Sequence, residues 1–205
     1  MKKDKITHYE ATEKYDSIKI AVKTAHIEIK ESCTQKTEIE LCESKRFAHS
    51  VKLDGGILTI CRAKSKWYSY LLPSFKFPRI TLYLPKKELS ELNIGCTTGK
   101  IHIAGLSAKN LTVTCGTGKI TLLNVLVENK INIQTNTGKV EFDQSDASEI
   151  FVKTNTGKVY GNLLSDKAFV IRCKTGKISI PKTFGSNKFE IISNTGSIDF
   201  KIKER

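Results

Sequence analysis

The stretch Ile131–Phe142, "INIQTNTGKVEF", carries the strongest structural signal in the chain, because its Thr137-Gly138-Lys139 step recurs. Gly-Lys invites comparison with a phosphate-binding loop. That loop needs two glycines flanking four residues, then Lys and Ser or Thr, between a strand and a helix. Here Val140 follows Lys139, and the next residues alternate as in a strand. The Thr-Gly step therefore belongs to a repeating structure, at Thr98-Gly99, Thr117-Gly118, Thr137-Gly138, Thr156-Gly157, Thr175-Gly176 and Thr195-Gly196.

The intervals between these glycines are 19, 20, 19, 19 and 20 residues, a period typical of a stacked solenoid. Apolar residues recur seven and five positions before each glycine and two after it, with a small residue three before. These rows are Leu92, Leu111, Ile131, Ile150, Phe169, Phe189; Ile94, Val113, Ile133, Val152, Ile171, Ile191; Ile101, Ile120, Val140, Val159, Ile178, Ile198; and Cys96, Cys115, Thr135, Thr154, Cys173, Ser193. Spacing of two indicates one strand face, so each rung has two short strands with apolar residues inward.

The inward positions three before and two after each glycine are five steps apart, an odd number that strict alternation cannot span, so the chain must turn at Thr-Gly. Glycine supplies the positive φ that such a corner needs. We therefore predict structural turns at Gly99, Gly118, Gly138, Gly157, Gly176 and Gly196. Rungs stacked about 4.8 Å apart bury a core that no single rung could bury. Stacking in chain order would place Ile133, Val152 and Ile171 in one ladder.

The first ninety residues are less regular but continue the pattern. Val51, Leu53, Leu58 and Ile60 flank Gly56 in the later register, which indicates a degenerate rung or a sheet that continues the solenoid. Three more alternating runs and a strand before Pro85 indicate further rungs or a sheet that continues the solenoid: Ile18-Ile20-Val22, Ile27-Ile29, Ile39-Leu41 and Ile80–Leu84. No Pro/Gly/Ser-rich linker divides the chain. We predict an N-terminal segment at 1–17 and one all-β solenoid domain at 18–205, with irregular rungs at 18–90, an insertion at 62–79 and six regular rungs at 91–205.

The motifs "VKLDGGILTI" and "RITLYLP", followed by the serial Thr-Gly rungs, resemble the bacterial putative-adhesin family of β-strand-repeat proteins. The resemblance spans about Ile18 to Ile202. It implies a right-handed β-helix, a link in some members to envelope stress or surface attachment, and no established catalytic residues. Many members carry an acidic residue after the turn glycine, whereas this chain has lysine in five rungs and serine in the sixth.

The formal net charge of +13 is spread over both halves of the chain, and two features concentrate it. The residue after the glycine forms a lysine row, Lys100, Lys119, Lys139, Lys158 and Lys177. Such a row is either a solvated face or a binding surface for a polyanion. The hypothesis from sequence is that it contacts an anionic envelope component.

The second feature is "RAKSKWYSYLLPSFKFPR", Arg62 to Arg79, which mixes basic and aromatic residues. Solenoids need caps, so this insertion is interpreted either as a cap or as a membrane or ligand contact. The binding candidates within it are Arg62, Lys64, Lys66, Trp67 and Tyr68.

The six cysteines have neither a CxxC pair nor zinc-ligand spacing. Buried reduced thiols are expected, with a Cys96–Cys115 bridge or a metal site as the alternatives. No metal or cofactor is predicted. The start of the chain has no apolar leader segment and no stretch approaches a membrane span, so the prediction is a cytoplasmic protein, with peripheral membrane association or a lost export signal left open.

Catalysis has little support in the sequence. The four histidines share no spacing and no Gly-x-Ser-x-Gly elbow is present. A β-helix carbohydrate-active enzyme is the enzymatic alternative. Its expected cluster of acids fails, because Asp143, Asp146 and Asp166 do not align in one row. A nucleic-acid or other polyanion binder is the second binding alternative, although the aromatics are confined to one stretch. We therefore predict a non-catalytic binding scaffold of unknown oligomeric state.

Overall fold

The computed structural model describes residues 5–43, 48–63 and 77–202, and these ranges contain strands and no helix. The fourteen strands are β1 (Lys5–Ala11), β2 (Ser17–Thr24), β3 (His26–Glu31), β4 (Thr37–Glu43), β5 (His49–Asp54), β6 (Ile57–Arg62), β7 (Arg79–Leu84), β8 (Glu88–Asp143), β9 (Asp146–Thr156), β10 (Val159–Leu163), β11 (Ala168–Thr175), β12 (Ile178–Ser179), β13 (Lys188–Thr195) and β14 (Ile198–Ile202). All belong to one hydrogen-bonded sheet. The predicted all-β, solenoid-like fold is confirmed.

The sheet is folded into two columns of parallel strands joined at the Thr-Gly steps. We call the strand before each glycine the upstream strand and the strand after it the downstream strand, and we number rungs 1 to 6 by their glycines in chain order. Upstream, Ile131 pairs with Ile150. Downstream, Val140 pairs with Val159. The inward rows of both columns form one continuous apolar cluster.

Ile133, Val152 and Ile171 lie in one ladder as predicted, but the last rungs do not stack in chain order. Val152 pairs with Ile191 of β13, and Ile191 pairs with Ile171 of β11. Rung 6 is thus inserted between rungs 4 and 5, and the downstream strands follow the same order, β10, β14, β12. Four phenylalanines pack around the inserted rung with centroid separations of 4.9–6.1 Å: Phe142, Phe169, Phe189 and Phe200.

The strands β2 and β3 form a further rung, rung 0, as the alternation at Ile18 and Ile27 indicated. β2 lies between β6 and the start of β8, and β3 lies between β7 and β8. Ala25 occupies the corner position in rung 0, because Thr24 pairs with Thr98 in the neighbouring rung.

The segment around Gly56 is not a degenerate rung but part of a sheet that continues the solenoid, the second predicted alternative: β5 and β6 form an antiparallel hairpin, and β6 pairs with β2. Asp54 and Ile57 pair across a two-residue turn in which Gly55 and Gly56 have φ of 54° and 77°. Positive φ at both central residues defines the hairpin turn whose twist matches paired strands. The inward spacing around Gly56 therefore arises from a hairpin turn and not from a rung corner.

Antiparallel strands extend the downstream column beyond rung 0. β4 pairs with β7 and with β1, both antiparallel. The alternation at Ile39 and Leu41 thus belongs to a sheet that continues the solenoid. Residues 5–11, which the sequence analysis left outside the solenoid, form the outermost strand of this extension.

The six corner glycines have φ between 149° and 159° and contact one another closely. A Cβ built on Gly138 would lie 1.7 Å from the carbonyl oxygen of Gly118. The same contact repeats along the column, with Gly157 against Gly138 and Gly196 against Gly157. At the corner of rung 0, the side chain of Ala25 is fully buried, and Gly99 packs against the Ala25 backbone.

Each of rungs 1 to 3 has a second corner, after its downstream strand, that was not predicted from the sequence. Gly105, Asn124 and Gln144 have φ of 64°, 52° and 48° and follow the downstream strands of rungs 1 to 3. Only glycine, asparagine and related short polar residues enter this region at low cost. The intervals of 19 and 20 residues were visible in the sequence, but three different residue types occupy the position.

Candidate functional site

The downstream strands carry an outward row of basic residues that is longer than the predicted lysine row. Lys100 lies beside His26, whose ring Nδ1 accepts a hydrogen bond from the Lys100 backbone N–H at 3.3 Å. His26 in turn pairs with Arg79 of β7. We call this line the basic row; in spatial order it contains Arg79, His26, Lys100, Lys119, Lys139, Lys158 and, beyond Ser197 of the inserted rung, Lys177.

The charges of the row act on one another at its Arg79 end. Burial lowers the pKa of His26, and the nearby charges of Lys100 and Arg79 lower it further. The ring of His26 also stacks on Phe77, with centroids 5.2 Å apart. His26 is therefore held in its neutral form, and the cationic charge of this end comes from Arg79 and Lys100.

Acidic residues in the neighbouring outward row neutralise part of the basic row. The Lys119 ammonium lies 2.5 Å from a Glu141 carboxylate oxygen. The Lys158 ammonium lies 3.8 Å from Asp199 and 4.6 Å from the centre of the Tyr160 ring. Within the described part of the chain, the ammonium groups of Lys100, Lys139 and Lys177 have no carboxylate at salt-bridge distance; these three face solvent most fully.

The Lys119 ammonium beside Glu141 holds the pKa of that carboxyl below its usual value. The ion pair therefore contributes stability above the ordinary glutamate pKa, and this contribution is lost as the pH falls through the lowered folded-state pKa. We expect Lys119→Ser to raise the pKa of Glu141, as measured by NMR titration of the side-chain carboxyl carbon. Lys130→Ser, which removes the partner of Glu149, serves as the control and leaves Glu141 unchanged. An unchanged Glu141 titration in Lys119→Ser would show that the pair does not persist in solution.

The other predicted binding residues lie apart from the basic row or outside the described residues. Arg62 ends β6, which belongs to the upstream column. Lys64, Lys66, Trp67 and Tyr68 lie outside the described residues. Among the described residues of the Arg62–Arg79 stretch, the structure places Arg79 in the basic row.

No group of three or more potential metal ligands is present among residues 5–43, 48–63 and 77–202. All six cysteines are free thiols, and Cys96 and Cys115 are buried neighbours in the inward small-residue row. The hydrogen bond between them lowers the pKa of Cys96 and raises that of Cys115. Cys96 and Cys115 therefore act as packing residues of the core.

The solenoid-like strand stack with its serial Thr-Gly corners matches one family model over residues 15–205. The chain belongs to the Toastrack DUF4097 family. The predicted resemblance to the putative-adhesin proteins is thereby confirmed. No curated protein is detectably similar to the chain.

Solved structures share the architecture of this Toastrack chain at low sequence identity. A putative cell adhesion protein from Clostridium sporogenes has a TM-score of 0.56 at 11% identity, with 97% of this chain and 100% of that chain covered. A putative adhesin from Bacteroides fragilis has a TM-score of 0.48 at 14% identity, covering 96% and 97%. A putative lipid binding protein from Parabacteroides distasonis has a TM-score of 0.37 at 14% identity, covering 96% of each. The first of these structures shows the shared fold.

The sequence indicated the lysine row but not its neighbours. Arg79 joins the row through the parallel pairing of β3 with β7, two strands that are separated in sequence by residues 32–78. No local pattern predicts such pairing.

The described residues contain no helix long and apolar enough to cross a membrane.

Proposed function

We propose that this Toastrack protein is a non-catalytic, adhesin-like scaffold that binds an anionic envelope component along the basic row. The observation that carries the proposal is the register of the downstream strands, which aligns Arg79 with Lys100, Lys119, Lys139 and Lys158. Adhesin names among similar structures support a binding role at the envelope. The natural partner would be an acidic lipid headgroup or a phosphate-bearing polymer.

The proposed scaffold is one domain, residues 18–205, wound as a right-handed solenoid with rungs of 19 or 20 residues. Its repeat spaces cations at about 4.8 Å along the stack, a pitch that a flexible polyanion can follow. The Arg62–Arg79 insertion, with Lys64, Lys66, Trp67 and Tyr68, would add an interfacial anchor near the Arg79 end. An envelope-stress role and surface attachment are compatible with this arrangement.

The partial neutralisation of the basic row by acidic residues affects how strongly the row binds an anion. Glu141 and Asp199 compete with a ligand for Lys119 and Lys158. Lys100 and Lys139 are exposed and supply the uncompensated charge. Charges at the surface are screened within about 8 Å at physiological ionic strength, so binding is weak per site and decreases with salt.

The test is co-sedimentation with phosphatidylglycerol vesicles and, separately, with long-chain polyphosphate at two salt concentrations. We expect Arg79→Ser/Lys100→Ser/Lys139→Ser to lose roughly tenfold or more in affinity at low salt, since each cation near an anionic surface contributes about 1 kcal/mol. Phosphatidylcholine vesicles should not bind the wild type.

The matched control is Lys19→Ser/Lys23→Ser/Lys153→Ser, which removes the same charge from exposed outward positions of the upstream column. This variant should bind nearly as well as the wild type. Equal losses in the two triple variants would assign the binding to net charge, and the proposed role of the basic row would fail. Binding of nucleic acid in preference to both probes would favour the alternative of a nucleic-acid binder.

A further inference from the structure

The stack has one covered end and one open end. Beyond rung 0, the hairpin β5–β6 and the strands β7, β4 and β1 continue the sheet, and the inward residues Ile18 and Ile27 are 1% exposed. At the opposite end, rung 5 pairs only with rung 6 among the described strands. Its strands β11 and β12 therefore leave one side of their backbone unpaired.

The inward side chains of rung 5 are exposed where their counterparts are buried. Ile178 is 46% exposed, whereas Ile198, at the same position of the neighbouring rung, is 1% exposed. Phe169 and Ile171 are half-buried, while Phe189 and Ile191 are fully buried. The apolar interior of the solenoid thus reaches solvent at this end.

The open edge is also strongly basic. Residues 168–182 contain four basic side chains and no acidic one: Arg172, Lys174, Lys177 and Lys182. A second copy that met this edge through a two-fold axis would place the same four cations opposite themselves. The charge therefore disfavours self-association here and favours an acidic partner.

The inserted strand β13 shows what kind of segment pairs with β11. Phe189 and Ile191 of β13 point inward and cover the row of Phe169 and Ile171. The pKa of Glu190, which lies outward on β13, is lowered chiefly by its ion pair with Lys188 on the same strand and less by the charge of Arg172. A segment with alternate apolar side chains thus fits β11 on its paired side, and the basic side chains of the open edge favour acidic residues at the outward positions of a partner segment.

We propose that the open edge formed by β11 and β12 binds an extended acidic segment of a partner protein by β-strand addition. Alternate apolar side chains of the segment cover Phe169 and Ile171, and its acidic side chains pair with Arg172 and Lys174. Main-chain hydrogen bonds supply affinity, and the alternating side chains supply specificity. This surface shares Lys177 with the basic row, but Arg172 and Lys174, on the upstream column, lie outside that row.

The probes are two blocked peptides of the β13 sequence, Lys188–Thr195, with all outward positions changed to glutamate in one and to lysine in the other. Fluorescence anisotropy measures affinity, and hydrogen exchange reports which backbone amides are protected. We expect the glutamate peptide to bind roughly tenfold or more tightly than the lysine peptide, since several surface ion pairs add. Protection should appear in β11 and not in β2, which is paired on both sides.

Charge reversal provides the decisive variant. Arg172→Glu/Lys174→Glu should invert the preference between the two peptides, while the control Lys19→Glu/Lys23→Glu on β2 should leave it unchanged. Polyphosphate and vesicle binding should be retained in Arg172→Glu/Lys174→Glu relative to that control, which separates this site from the basic row. Equal binding of both peptides, or protection outside β11 and β12, would overturn the proposal.

Sedimentation equilibrium of the wild type tests the other possible occupant of the edge, a second copy of this chain. A dimer that Ile171→Lys dissociates, through an inward-pointing charge at the edge, would assign the edge to a second copy and would also overturn the proposal.

Discussion

Gly138→Ala is expected to lower the free energy of unfolding by about 3 kcal/mol or more, although it adds a single methyl group. Gly138 has a φ of 153°, a region that side-chain-bearing residues rarely enter. The new Cβ would lie 1.7 Å from the Gly118 carbonyl oxygen, a backbone atom that cannot rotate away. Relief would require rungs 2 and 3 to separate at the corner, which would disturb the buried ladder beside it. Thermal unfolding should show a midpoint lower by roughly 6–12 °C for a chain of this size.

Gly95→Ala is the matched control for this prediction. Gly95 lies on an upstream strand of the same sheet, and its added Cβ would meet only the Ile20 carbonyl oxygen at 3.8 Å, an ordinary contact. Because alanine restricts the unfolded chain more than glycine does, we expect stability to be unchanged or raised by up to about 1 kcal/mol. Equal destabilisation by both variants would refute the corner contact as the cause.

The repeat itself made the corners predictable, because one requirement recurs at every rung. Each corner glycine contacts the backbone of a neighbouring rung, so no other residue fits, and the sequence retains Thr-Gly at the interval of the fold. Ala25 occupies the corner of rung 0 without a glycine, and it was therefore not recognised as a corner from the sequence.

The order of the last two rungs could not be predicted for an equally physical reason. Rungs 5 and 6 carry the same inward residue types, with Phe169 matching Phe189 and Ile178 matching Ile198. Either rung could follow rung 4 and satisfy the inward rows. The order depends on the path of the connection 180–187 and on how well each rung is buried, and neither leaves a periodic signal.

The candidate site was predictable only to the extent that it repeats. The lysine row follows from the interval, but the ion pair of Lys119 with Glu141 depends on side chains from different rungs meeting diagonally. Arg79 and His26 enter the row through pairing between distant segments. Contacts that occur only once in the chain, and not in every rung, therefore could not be predicted from the sequence.

A buried lysine near the second corner gives the other large expected effect. Lys167 is 1% exposed, and its ammonium forms an ion pair with Asp146 and donates hydrogen bonds to the Ala147 carbonyl oxygen at 2.7 Å and the Ser165 hydroxyl at 2.9 Å. Removing one partner of a buried pair leaves an uncompensated charge in the interior, which typically costs 3–5 kcal/mol. We expect Asp146→Asn to destabilise the protein by about that amount in chemical denaturation. Asparagine keeps an oxygen that can accept from the Ala147 backbone N–H, so the change isolates the charge.

Two further variants decide whether burial is the cause. Glu149→Gln removes the carboxylate from the exposed pair with Lys130, whose side chains are 50% and 57% exposed, and should cost at most about 1 kcal/mol. The double variant Asp146→Asn/Lys167→Met removes the stranded ammonium and should recover much of the stability lost in Asp146→Asn, because methionine fills a similar volume without a charge to desolvate. If Asp146→Asn costs no more than Glu149→Gln, or if the double variant is less stable than Asp146→Asn, then the lysine is solvated in the native state and the interior near the second corner is open to water.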